Sequence, residues 1–394
     1  MGEHDGFGIE NLPFGVFRRP GHEPRVGVAY QDQVLALAVL AETGLLPGLG
    51  TVFRRPSLNA FLDLGRSAWD ETRGRLQQVI TDDDLPAAAR VPLSDVELLL
   101  PVEIGDYVDF FSSIHHATNV GRLFRPDVEP LFPNWRHLPV GYHGRAGTVV
   151  VSGTPIIRPR GQRLTDGEVV YGPSRSLDFE LEVGFIAGPG NPLGAAIEPD
   201  RVADHIFGIV LLNDWSARDI QAFEYQPLGP FLGKSFATSI SPWVVPLTAL
   251  EPYRCSGPTQ EPPPAAHLLP AGAWGFDLAL GVTVSGTSVA GTAFADQYWN
   301  IAHQLAHLTS NGSTIRPGDL LASGTVSGPE SGSWGSLLEA TFNGTRPLNL
   351  AGGRQLGYLA DGDEVVMSGR AAADGRPAID LGSVTGRVTT SPDT

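Results

Sequence analysis

Leu177-Asp-Phe-Glu180-Leu-Glu182-Val-Gly-Phe-Ile186 is a short apolar run that carries two acids one residue apart. Read as a strand, it points both carboxylates to the same face, because strand side chains alternate with period two. Two more acids, Asp109 and Asp214, also stand at the edges of apolar, strand-like segments. The four together have the composition of an oxygen cage for a hard divalent cation. Calcium and magnesium prefer carboxylate oxygen, whereas zinc or copper would call for Cys and His ligands, absent from these four positions. The plain alternative is four surface acids that happen to lie in strands.

Working outward, strand-like runs recur at Val26 to Tyr30, Val34 to Val39, Thr148 to Val151, Leu181 to Ile186, Ile206 to Leu212, Trp243 to Pro246, Phe276 to Val284, Leu320 to Ser323 and Val365 to Ser368. The chain has 48 Gly and 33 Pro among 394 residues, well above the usual share, which cuts it into short strands and turns. Helical patterns are few. Ser57 to Leu64 and Ser67 to Ile80 each open on a Ser N-cap, and Ala295 to Thr309 sets Tyr298, Ile301, Leu305 and Leu308 on one stripe. The expected architecture is mostly β, of the α+β class.

A chain of this length is expected to form two domains. The acidic run Asp82, Asp83, Asp84 and the connector Pro86 to Pro92 place a boundary near residue 98, giving a small β-rich domain with a helical appendix over 1–98 and a working domain over 99–394. The Pro-rich stretch Gly257 to Pro270 reads as a surface loop. With 27 basic against 43 acidic side chains the net charge is −16, so nucleic acid and anionic membranes are poor partners. A single cysteine, Cys255, fits a reducing compartment. Met1, Gly2, Glu3, His4, Asp5 lack the start of a signal peptide, and residue 6 is not the Ser or Thr of a myristoylation signal. No apolar run spans a bilayer. A cytoplasmic protein is expected.

Three motifs fail on inspection. Gly229-Pro-Phe-Leu-Gly233-Lys234-Ser235 has three residues between its glycines where a phosphate-binding loop needs four, and Pro242 follows too soon for a long helix. His303 and His307 lie one turn apart, but no Glu follows His303, and both are expected on the polar side of their helix. Gly332-Ser-Trp-Gly335 has the wrong spacing for a serine-hydrolase elbow. The segment Asp109-Phe-Phe-Ser-Ser-Ile-His115-His116-Ala-Thr-Asn119 is more informative. It sets an acid and a histidine seven residues apart, within reach of one ion through a short turn. A neighbouring cation disfavours the charged imidazole, which leaves it available as a base.

Several long strings resemble the fumarylacetoacetase (fumarylacetoacetate hydrolase) family. They are Asp106 to Asn119; Leu131 to Val151 with Pro133-Asn-Trp-Arg-His-Leu-Pro-Val-Gly-Tyr-His-Gly-Arg145; Leu177 to Val183; Leu212 to Ile220; Gly229 to Ser241; and Leu320 to Glu330. Phe7 to Phe17 is similar to the start of the family's small domain. The resemblance implies an SH3-like β-barrel followed by a catalytic domain of the mixed β-sandwich roll type. It implies hydrolysis of a β-diketone carbon–carbon bond, giving fumarate and acetoacetate in the last step of tyrosine and phenylalanine breakdown, by a homodimer.

The same resemblance implies the site. Asp109, Glu180, Glu182 and Asp214 would hold Ca2+, Mg2+ or both, with Lys234 and Thr238 where the family binds magnesium. An ammonium cannot ligate, so Lys234 would have to offer its backbone carbonyl. His116 matches the general base and Glu339 the carboxylate that orients it. Arg218, Gln221 and Lys234 match the residues that stabilise the leaving group, and Arg125, Tyr142, Gln221, Tyr225 and Thr325 those that contact substrate. Phe111 stands where the family pattern has a tyrosine, which puts the exact diketone in question and keeps a related acylpyruvate-like substrate open. A decarboxylase of the same superfamily, an idle calcium-binding scaffold and a solute-binding module are rival readings of the same residues. The pairing of His116 with Glu339 favours attack by water.

Overall fold

Strand Leu181–Ala187 is the hub of the fold. In the computed structural model, which describes residues 7–392, it pairs antiparallel with Ile206–Asp214 on one side and Leu320–Ala322 on the other. Leu320–Ala322 then runs parallel to Tyr107–Phe110, which pairs with Gly141–His143. The expectations drawn from Met1 to residue 6 lie outside the described residues.

Alternation sorts these strands into two cores. Leu181, Val183, Phe185, Ile209 and Leu211 face a second sheet built from Thr287–Ala293, Ala279–Val284, Glu364–Ala371, Ile379–Thr389 and Ile156–Ile157, which supplies Leu280, Val282, Met367, Leu381 and Val384 to the space between. Ile186, Val210, Leu212, Tyr107, Leu320 and Ala322 face the opposite way, onto Phe53, Phe61, Trp69 and Leu76 from the N-terminal helices. Each fully buried Leu or Phe of these layers contributes about 1.5–3 kcal/mol. Glu182 shares the face of Ile186, Asp214 that of Leu212, and Asp109 that of Tyr107. The acids are therefore the polar end of an otherwise apolar face. Gly184 on that face permits the close approach, since a Cβ there would lie 2.8 Å from Leu320 and 2.9 Å from Val210.

A small N-terminal domain is present, and the whole is a strand-rich α+β fold. Its strands Phe14–Arg18, Arg25–Tyr30, Gln33–Ala36 and Arg90–Pro92 form a meander, with Glu97–Leu99 also on Phe14–Arg18. The SH3-like barrel needs correcting in one respect: among the described residues these strands do not close into a ring. Trp243–Pro246 takes part of the edge of Phe14–Arg18, so the sheet continues into the rest of the protein.

Local expectations shift for identifiable reasons. The run from Val34 leaves the strand at Ala36, where Leu37–Glu42 turns helical and buries Leu37, Ala38 and Leu40. Helix Arg66–Thr81 starts from Gly65, at φ 82°, with no serine cap, and Asn59–Leu62 is a single uncapped turn. The expected helix from Ala295 begins at Ile301 instead, because the Asn300 side chain accepts from the N–H groups of Ala302 and His303 and sets the start there. Among the described residues no helix is long and apolar enough to cross a membrane.

Candidate active site

The four acids converge. Asp109, Glu180, Glu182 and Asp214 each offer a carboxylate oxygen, all within 4.8 Å of one another, and all four residues are buried. Glu180 precedes the hub strand and is fixed there by the Asn213 side chain, which accepts its N–H at 3.1 Å. Glu182 Oε2 accepts from the Gly324 N–H at 3.0 Å.

Two cations share the cluster. Lys234 Nζ donates to Glu180 Oε2 and, at 2.6 Å, to Asp214 Oδ2. Arg218 Nη2 donates to Glu180 Oε1 at 2.7 Å, its Nε to Asp178 at 2.8 Å and its Nη1 to Gln221 at 3.2 Å. Thr238 Oγ1 donates to Asp214 Oδ1 at 3.0 Å and the Tyr142 hydroxyl to Oδ2 at 3.3 Å. Lys234 reaches the cluster because Gly233 packs against helix Arg218–Glu224, where a Cβ would fall 2.7 Å from the Gln221 nitrogen.

Charge is unevenly compensated. Burial works to raise Glu180, but Lys234, Arg218 and His116 hold it well below the ordinary carboxylate range. Burial, then the neighbouring Asp214 charge, pushes Asp109 well up, and burial with Asp109 and Asp214 does the same to Glu182. These two also keep a buried oxygen without a donor, Asp109 Oδ1 and Glu182 Oε1. Carboxyl oxygens left without a donor in a buried, acid-rich cluster are what a hard divalent cation satisfies. The donor set therefore fits such an ion at Asp109, Glu180, Glu182 and Asp214.

His116 stands beside this cage. Ser113 caps helix Ile114–Phe124 by accepting the His116 N–H, so the histidine sits in a fixed first turn of a helix and not in the short turn expected. Its Nδ1 lies 2.6 Å from Glu339 Oε2, and its Nε2 faces Glu180 Oε1 at 3.9 Å. Asn119 Nδ2, Ser327 Oγ and Ser336 Oγ also donate to Glu339, at 2.9, 2.9 and 2.8 Å. Burial works to raise Glu339, but His116, Asn119 and Ser336 hold it below the ordinary range. The contact between Glu339 and Nδ1 orients the ring so that Nε2 faces the cage.

The other expected residues spread around this centre. Phe111 packs edge-on against the His116 ring, centroids 5.2 Å apart. Thr325 is buried in the loop after Leu320–Ala322. Tyr225 ends the Gln221 helix, and its hydroxyl accepts from Gln226. Arg125 is engaged elsewhere, donating to the Pro130 carbonyl at 2.6 Å and lying 4.1 Å over the Phe132 ring. Tyr142 and Lys234 also line a cleft of about 430 Å³ with Arg145, Phe231 and Leu232. A larger cleft of about 610 Å³ between Phe7, Leu98 and Trp243 is lined by none of the site residues.

His303 and His307 form no metal site with the cluster. His303 is buried against Trp299, contrary to the polar face expected, and burial lowers its pKa to about 4. Sequence reasoning also passed over Asp178, Ser327 and Ser336 and gave Asn119 no role. Asp178 continues the Glu180 and Glu182 alternation by one step, and Ser336-x-x-Glu339 is a capping pattern, so two of them had a readable signal.

The fold is shared with solved hydrolases. A fumarylacetoacetate hydrolase from Exiguobacterium antarcticum superposes with a TM-score of 0.58 at 18% identity, covering 96% of this chain and 99% of that one. A maleylpyruvate hydrolase from Sphingobium sp. SYK-6 does so at 0.55 and 16%, covering 96% and 100%. Residues 107–389 match the fumarylacetoacetate hydrolase C-terminal family and residues 10–101 the fumarylacetoacetase N-terminal family. Fumarylacetoacetases of Arabidopsis thaliana and Bos taurus are each 48% identical, covering 100% and 98% of this chain and 98% and 97% of their own. That of Homo sapiens is 47% identical over 98% of this chain and 97% of its own. The chain belongs to the fumarylacetoacetase family.

Proposed function

We propose that this chain hydrolyses 4-fumarylacetoacetate to fumarate and acetoacetate, the last step of tyrosine and phenylalanine breakdown. The observation that carries the reading is the Glu339–His116 pair, whose free Nε2 faces a buried four-carboxylate cage. Full-length similarity to fumarylacetoacetases supports the substrate.

Asp109, Glu180, Glu182 and Asp214 would hold a divalent cation, which when bound would supply Lewis-acid polarisation of the diketone oxygens. His116 Nε2 takes a proton from water as its oxygen bonds to the substrate carbonyl carbon, while anionic Glu339 stabilises the imidazolium. The carbon–carbon bond then breaks, its electron pair leaves with acetoacetate as an enolate, and a proton returns to carbon. Lys234 uses two of its three N–H donors on Glu180 and Asp214, leaving one for the enolate oxygen. Arg218 and Gln221 lie beside it. Arg125 grips a substrate carboxylate once it releases Pro130, with Tyr142, Tyr225 and Thr325 around the remainder. Ca2+ or Mg2+ is the proposed ion, with Lys234 and Thr238 near a second magnesium position.

A related acylpyruvate-like diketone is the second reading, favoured by Phe111, which brings a ring edge and no hydroxyl to His116. A cytoplasmic homodimer with a domain division near residue 98 completes the proposal. The test is loss of the ultraviolet absorbance of fumarylacetoacetate on adding metal-stripped protein, with and without Mg2+ or Ca2+. Metal-dependent cleavage that vanishes in His116→Ala supports the reading; no cleavage by folded, metal-loaded protein overturns it.

A further inference from the structure

We infer that Asp178 is a positioning residue that holds Arg218 and Glu339 in one frame, a role that rests on the hydrolase reading above. Asp178 is fully buried and accepts four donors. Oδ1 takes the N–H groups of Phe179 and Leu337, both at 2.8 Å, and Oδ2 takes Leu338 N–H at 2.9 Å and Arg218 Nε at 2.8 Å.

Those donors belong to the two sides of the reaction. Arg218 reaches from Asp178 to Glu180 and Gln221, on the side of the leaving group. Leu337 and Leu338 open the turn Leu337–Ala340, which carries Glu339. One turn is too short to hold its own register, since its first N–H groups have no partner inside it. Asp178 fixes the first two of those N–H groups, and Ser336 Oγ accepts the third, from Glu339, at 3.4 Å. A shift of this turn moves the carboxylate that orients His116. Asp178 touches neither the imidazole nor the carboxylate cage through any bond of its own, so it acts on the reaction through Arg218 and Glu339.

Asp178→Asn keeps the volume but turns an amide N–H₂ toward donors, so one side of the frame loses its acceptor. The experiment uses the full-length, metal-loaded protein and measures kcat and KM for fumarylacetoacetate in the parent, Asp178→Asn, Glu339→Gln and the double variant. The expected result is a kcat lower by about 10- to 100-fold in Asp178→Asn, the usual range for a residue that supports a site from behind, with KM within about threefold. In the Glu339→Gln background the same substitution costs at least about fivefold less, because one of the two groups through which it acts is already disabled and only the Arg218 arm remains. A kcat equal to the parent's, or a loss of full size in the Glu339→Gln background, overturns the inference. Asp178→Glu, which keeps the charge, carries the same cycle if Asp178→Asn does not fold. If neither folds, the residue serves folding and the inference fails. An inert parent refutes the hydrolase reading and this inference with it, whereas an active parent with an unchanged variant refutes this inference alone.

Discussion

His116 Nδ1 and Glu339 Oε2 lie 2.6 Å apart across 223 positions of sequence. The carboxylate is saturated by Asn119, Ser327 and Ser336 as well, so it is held rigidly and stays anionic. The pair joins helix Ile114–Phe124 to the turn Leu337–Ala340 at the lip of the carboxylate cage.

Glu339→Gln should therefore damage kcat more than KM. The amide reverses the bond to Nδ1 or breaks it, and the imidazole loses both its tautomer and the charge that stabilises its protonated form. A fall of roughly 10²–10⁴ in kcat is expected, in line with general-base contributions. Steady-state kinetics on variant protein of unchanged circular dichroism checks this; a variant within threefold of the parent, by order of magnitude, would sink the assigned role.

Glu182→Gln should stabilise the protein in chelator and weaken its gain from metal. Glu182 Oε1 is buried without a donor, and burial with Asp109 and Asp214 disfavours its charge. Removing that charge relieves about 1–3 kcal/mol of cost in metal-free protein. A ligand that binds only the folded state raises its stability in proportion to affinity. Melting curves in EDTA and in excess Mg2+ or Ca2+ should show a higher Tm than the parent in EDTA and a smaller rise with metal.

Acid should weaken the fold through His303. Its folded pKa of about 4 lies below the ordinary 6.5 because it is buried, and its Nδ1 accepts the Asn300 N–H in the neutral form. The unfolded chain binds the proton first, so stability is full above pH 6.5 and is lost as pH falls toward 4. Between pH 7 and 5 the loss is about 2 kcal/mol. Urea unfolding at both pH values, for the parent and His303→Gln, isolates the effect, since the variant should lose that part of the slope.

Phe111→Tyr should tighten substrate binding if the fumaryl diketone is the substrate. The ring already sits edge-on to His116, and an added hydroxyl brings a hydrogen bond of about 0.5–1.5 kcal/mol. That corresponds to a KM lower by roughly 2- to 10-fold. A KM that rises for fumarylacetoacetate but falls for an acylpyruvate would point to the second substrate class.

Local features were legible along the chain: the hub strand, the shared face of Glu180 and Glu182, and the carboxylate chemistry of Asp109 and Asp214, because strand alternation and donor type are properties of neighbouring residues. The family resemblance added His116, Glu339, Arg218 and Lys234. How these residues meet depends on long-range packing. Glu339 looks like an ordinary acid until its turn is set against His116, and Lys234 Nζ could not be placed between Glu180 and Asp214 before Gly233 packed on the Gln221 helix. The same holds for the open N-terminal sheet, where Trp243–Pro246 takes an edge that the first strands alone leave free. Such pairings depend on which distant segments win a shared edge or a buried charge, a competition settled by packing the whole chain at once.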